Sequence, residues 1–120
     1  MPEVLPEIAV SKALDLLRKK LLETLGGDLL RMIFFGSRRS GRFREDSDID
    51  VFIVLKKKSP QLRDIVYSIA DEIEKEILLY RISFSLHIFD EVEYRSFKEK
   101  GSLFLEDIEA SGEILYERVS

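Results

Sequence analysis

The stretch from Phe34 to Val54, FFGSRRSGRFREDSDIDVFIV, decides how the chain reads. It places two carboxylates, Asp48 and Asp50, at the start of an otherwise apolar strand, DIDVFIVL. An ionised carboxylate is costly to bury unless it is paired or bound to a metal. Two residues apart on a strand, both carboxylates point to one face, roughly 7 Å apart along it. Two hard oxygen donors arranged in this way suit Mg2+ or Mn2+, which take one or two carboxylates together with substrate phosphates and water. Upstream, Gly36-Ser37 follows a second apolar run, LLRMIFF, and opens a turn. Glycine there permits close approach of the backbone, and free N–H groups at a helix start can hold a phosphate. Ser37 adds a hydroxyl, and Arg38 can pair with phosphate oxygens in a fork geometry. A dicarboxylate metal site beside an anion cradle is what transfer of a nucleotide from a nucleoside triphosphate requires.

The sequence around this core supplies regular elements. Val10, Leu14, Leu17, Leu21 and Leu25 recur at helical spacing, which predicts a helix from Pro6 to Leu25 stopped by Gly26-Gly27-Asp28. LLRMIFF (29–35) predicts a buried strand, 37–47 a polar loop with a short helical turn, and DIDVFIVL (48–55) a strand buried on both faces. Lys56 to Lys58 close that strand as an exposed end. Ser59-Pro60 is a helix start, with Ser as N-cap and Pro in the first turn. Ile65, Ile69, Ile73 and Ile77 mark the inner face of the helix that follows, to about Leu79. RISFSLHIF (81–89) alternates with strand period. Asp90 and Glu93 predict a capping box for a short helix through Phe97, which Gly101 ends. A further helix over about 103–110 and a short last strand, EILYERV, complete the order. The class is α/β or α+β, a small mixed sheet flanked by helices.

Bulk properties narrow the function. At 120 residues the chain reads as one domain, 1–120, large enough to close a core. Hydrophobic residues make up 45% and charged residues 35%, the balance of a globular, soluble protein. A net charge of −4 argues against a general nucleic-acid coat, whose footprint is basic. The absence of cysteine excludes disulfides and thiolate metal sites, and a single histidine speaks against a His-rich zinc site. No basic-then-apolar leader and no apolar run approaching 18 residues are visible, which points to a cytoplasmic protein away from membranes. Abundant Lys, Arg and Glu without Cys or Trp hint at a thermophilic source.

Gly36-Ser37, ten residues, then Asp48-Ile49-Asp50 resembles the Gly-Ser-x10-Asp-x-Asp signature of minimal nucleotidyltransferases, within the polymerase-beta-like superfamily. Four fixed residues at ordinary frequencies match about one window in 10⁵ by chance. The intervening RRSGRFREDS, with Arg38, Gly41 and Ser47, is also similar to that family, as are the element order and the SGEILYE ending. The resemblance implies the polymerase-beta-like fold. It implies Asp48 and Asp50 as catalytic metal ligands for Mg2+ or Mn2+, and Gly36, Ser37, Arg38 and Ser47 as the nucleotide-binding set. The substrate would be ATP or another nucleoside triphosphate, and the product a nucleoside monophosphate ester of a hydroxyl. With no room for an acceptor-binding domain, the resemblance further implies a small helical partner of the HEPN type, in a toxin–antitoxin pair.

One departure from the family pattern matters. Active members usually carry a third acid on the neighbouring strand, and RISFSLHIF contains none. Alignment puts Ser85 at that position, with Ser83 and His87 on its face; Asp90 lies roughly 17 Å further along. The competing reading is therefore a catalytically weak or inactive nucleotide-binding module that acts by docking to a partner. A template-directed polymerase is disfavoured by the short, acidic chain. Arg39, Arg42 and Arg44 read equally as a solvated loop or as phosphate or partner contacts. His87 reads as a structural residue of the sheet, with a place near the metal as its alternative. The Leu and Ile stripes read as core, although part of either helix could also serve as a homodimer face.

Overall fold

The computed structural model describes residues 6–36, 48–77 and 83–118. Its elements are α1 (Pro6–Leu25), a 3-10 turn (Gly26–Asp28), β1 (Leu29–Phe35), β2 (Ile49–Leu55), α2 (Pro60–Glu76), β3 (Phe84–Asp90), α3 (Glu91–Glu99), α4 (Leu103–Ser111) and β4 (Glu113–Glu117). The sheet runs β3-β2-β1-β4. β1 is antiparallel to both β2 and β4, whereas β2 and β3 are parallel and joined through α2. This is the expected mixed sheet with flanking helices. The predicted helical turn within 37–47 lies outside the described residues.

Side-chain parity sorts the sheet into two faces. Ile49, Val51, Ile53 and Leu55 of β2 point to a core built with α1 and α2. Phe52 and Val54 point the other way, into a smaller cluster with Ile33 of β1, Tyr94 of α3 and Leu105 and Ile108 of α4. All six of these β2 residues are buried, so the strand is covered on both sides as its unbroken apolar run predicts. Asp48 and Asp50 have the parity of Phe52 and therefore belong to the face that α3 and α4 cover.

The sequence boundaries of α1 and β1 match the structure to the residue, and those of the other elements shift by one to three residues. α2 ends at Glu76 with Ile77 as its C-cap, short of Leu79. Its inner face is Val66, Ile69, Ala70 and Ile73, and Ile65 is exposed at 36%. Each step of four residues overshoots a full helical turn by about 40°, so a strict i+4 stripe rotates out of the core within three steps. α3 continues to Glu99 before Gly101, whose φ of +67° reverses the chain.

Caps fix the helix starts. The Ser59 hydroxyl accepts from the Leu62 N–H at 3.1 Å. Ser59→Ala should cost about 1 kcal/mol and Ser59→Gly a few tenths, read as the shift of the urea midpoint at unchanged slope. Asp90 and Glu93 form the predicted capping box, with bonds of 2.7 and 3.1 Å. Lys58 reaches the Glu93 carboxylate at 2.9 Å, and this hydrogen bond holds the Glu93 carboxyl below its ordinary pKa. Lys58 thus ties the end of β2 to α3, while Lys56 and Lys57 are the exposed strand end that the sequence suggests. Among the described residues, no helix is long and apolar enough to cross a membrane.

Candidate functional site

The first two strands deliver the aspartates to one corner of the sheet. β1 ends at Phe35, which pairs across the antiparallel ladder with Asp50. Gly36 then turns the chain away with φ +89°. A Cβ at Gly36 would lie 2.2 Å from Asp50 Oδ2, so the bare backbone is what leaves room for that carboxylate. Asp48 lies just before β2 and is exposed, whereas the Asp50 side chain is 27% exposed. Among the described residues, neither aspartate has a lysine or arginine partner.

The neighbouring strand supplies the rest of the corner. The Ile49 N–H donates to the Ser83 carbonyl at 2.8 Å, and the parallel ladder then sets Asp50 beside Ser85 and Phe52 beside His87. The Ser83 hydroxyl donates to Asp48 Oδ1 at 2.6 Å. His87 Nε2 lies 3.5 Å from Asp50 Oδ1 and 3.4 Å from the Ser85 hydroxyl. The His87 ring packs against Phe35 and Phe104, at 5.1 and 6.0 Å between ring centroids. At the open edge, Glu74 of α2 accepts the Phe84 N–H at 2.6 Å, which satisfies the first backbone donor of β3.

A family model for the nucleotidyltransferase domain matches residues 14–111 of the chain. The chain belongs to the nucleotidyltransferase domain family. The fold of this nucleotidyltransferase domain also has solved counterparts. A toxin–antitoxin structure with AMP-PNP superposes with a TM-score of 0.53 at 18% identity, covering 85% of this chain and 72% of that one. A mutant of the toxin–antitoxin MntA-HpeT superposes with a TM-score of 0.51 at 16% identity, covering 84% and 70%. At such identities the likeness is one of fold. No curated protein sequence matches the chain.

Within this nucleotidyltransferase domain, the structure brings Asp48, Asp50, Gly36, Ser83, Ser85 and His87 together. Ser37, Arg38 and Ser47, named above for the nucleotide, lie outside the described residues, as do Arg39, Arg42 and Arg44. Ser85 faces Asp50 across the ladder, the position to which alignment assigned it. Asp90 sits opposite Leu55 at the far end of β3, occupied as the cap of α3, and Glu91 pairs with Arg95. Among the described residues, no three His, Asp or Glu side chains already converge as a ligand set. The donors nevertheless fit a hard divalent cation, since two carboxylates on one face lack a lysine or arginine partner among the described residues.

Two further residues carry no signal in the sequence. Phe104 is a half-exposed aromatic at the start of α4, and only the tertiary fold carries it to His87. Glu74 is one polar residue among many on α2, and its bond to the Phe84 N–H depends on how α2 docks.

Proposed function

We propose that this domain binds a nucleoside triphosphate, with ATP as the leading case, together with Mg2+ or Mn2+, and transfers the nucleoside monophosphate to a hydroxyl on a partner protein or other acceptor. The observation that carries the reading is the corner itself: two aspartates on one face, without a lysine or arginine partner among the described residues, beside a glycine whose missing Cβ makes room for one of them. The family match supports nucleotidyl transfer in general, and the toxin–antitoxin counterpart with AMP-PNP supports a triphosphate substrate and a partner chain.

In this reading Asp48 and Asp50 hold the cation, Gly36 and Ser37 approach the β- and γ-phosphates, and Arg38 and Ser47 assist. The bound cation supplies charge neutralisation between the carboxylates and the phosphates. The acceptor hydroxyl oxygen attacks the α-phosphorus in line. A new P–O bond forms there, the bond from the α-phosphorus to the bridging oxygen breaks, and pyrophosphate leaves with the electron pair. The hydroxyl proton passes to Asp50 or to solvent. Positioning supplies much of the acceleration, because the chain holds both reactants in line. A HEPN-type helical protein is the partner that the family resemblance suggests.

A second reading has its own observation. Ser85, not a carboxylate, faces Asp50, which favours a nucleotide-binding module that acts by docking. Incubation with α-labelled ATP, Mg2+ and the product of the neighbouring gene separates the two. Label on the partner supports transfer. Nucleotide binding without label on any acceptor supports the module. Ser85→Asp offers a complementary test, because it returns a carboxylate to the position beside Asp50. Mn2+ binding should tighten by about an order of magnitude and any basal transfer should rise. Some stability should be lost to a third like charge. Calorimetry with Mn2+ checks the first effect and thermal melting the last.

A further inference from the structure

We propose that His87 is a metal ligand of this site, its imidazole Nε2 taking the place of the carboxylate that β3 lacks. The inference rests on the nucleotidyl-transfer reading and adds to it a choice of metal.

Three observations carry it. The first is proximity. His87 Nε2 lies 3.5 Å from Asp50 Oδ1 and 3.4 Å from the Ser85 hydroxyl. Good hydrogen bonds from a ring nitrogen fall at about 2.7–3.2 Å, so neither neighbour satisfies this atom well. Two donors each about 2.2 Å from a shared octahedral ion stand about 3.1 Å apart at a right angle. The imidazole and the carboxylate are therefore within a few tenths of an ångström of the separation that a shared cation needs.

The second is fixation. The ring is held by Phe35 from β1 and Phe104 from α4, so three separate elements set its orientation. A ligand whose rotamer is fixed before binding loses little entropy when the ion arrives. The third is exposure. The His87 side chain is 34% exposed, with two tilted aromatic rings packed against it and polar atoms near Nε2. A histidine serving only as sheet packing has no need to present a nitrogen to a carboxylate and a hydroxyl.

The chemical consequence is selectivity. Carboxylate and water oxygens suit Mg2+, whereas an imidazole nitrogen binds Mn2+, Co2+ and Zn2+ better. A site of Asp50 and His87, with Asp48 and phosphate oxygens completing the shell, prefers transition ions over Mg2+ more strongly than an all-carboxylate site does.

His87 is the sole histidine of the sequence, so every histidine signal belongs to it. The test uses the untagged full chain labelled with 15N-histidine and loaded with Mn2+ alone. Pulsed electron paramagnetic resonance should show 15N coupling to the bound ion, and His87→Gln should abolish it. In calorimetry His87→Gln should weaken Mn2+ binding about tenfold and Mg2+ binding less than twofold. Bound Mn2+ without 15N coupling, when Asp48→Asn with Asp50→Asn removes that binding, overturns the role of His87 and leaves the nucleotidyl-transfer reading standing. Equal loss of Mn2+ and Mg2+ affinity in His87→Gln also overturns it, because a structural role would act on both ions alike. Mn2+ binding that none of these substitutions weakens, or no Mn2+ binding at all, overturns the proposal and the reading beneath it together.

Discussion

Changing Asp48 and Asp50 together to Asn should abolish nucleotidyl transfer while the protein stays folded. The loss should reach at least about 10³-fold, or roughly 4 kcal/mol of barrier, because the hard donors that hold the cation become neutral amides. Stability should move the other way. Neither carboxylate has a lysine or arginine partner among the described residues, and Asp48 accepts a hydrogen bond from the Ser83 hydroxyl. Without metal, the pair is a local concentration of like charge on one face, and its removal should leave the melting temperature equal to or above that of the wild type. Thermal melting in EDTA, alongside a transfer assay with labelled ATP, checks both halves. A melting temperature lowered by several degrees would mark the aspartates as structural.

Gly36→Ala is the second large effect, and it acts through the same carboxylate. At φ +89° an alanine is strained, which costs on the order of 1–3 kcal/mol. Its Cβ would also fall 2.2 Å from Asp50 Oδ2, so the carboxylate must move. A displacement of about 1 Å in a positioned group can cost about 100-fold in rate, and that is the expected loss of transfer. Gly101→Ala is the control, since its φ is +67° but nothing lies within 4 Å of the added Cβ. It should lower the denaturation midpoint comparably while transfer persists. Equal losses of transfer in the two variants would show that Gly36 matters for stability alone.

The parts of this account that sequence made legible are those governed by local rules. The leucine stripe and the Gly26-Gly27 stop bound α1, Ser59-Pro60 starts α2, and Asp90 with Glu93 starts α3, because caps and periodicity involve neighbours along the chain. Parity on a strand likewise put Asp48 and Asp50 on one face, and the same parity put Ser83, Ser85 and His87 there from β3. What stayed hidden depends on how elements dock. The Ser83 bond to Asp48 spans 35 residues of sequence, and no spacing rule reaches that far. The position of Phe104 beside His87 follows from the packing of α4 over the sheet. Ile65 lost its expected place to Val66 because a helix of 3.6 residues per turn does not hold a strict four-residue stripe. His87 itself was visible as a residue of the right face. Only the folded structure shows how near its nitrogen stands to Asp50.

The central claim is that the aspartate corner binds a triphosphate through a divalent cation. Calorimetry of a non-hydrolysable ATP analogue against the full chain, first with Mg2+ and then with excess EDTA, tests it most directly. Two carboxylates without an intervening cation repel an approaching triphosphate, so binding should be measurable with Mg2+ and lost in EDTA. Equal affinity under the two conditions would contradict the account.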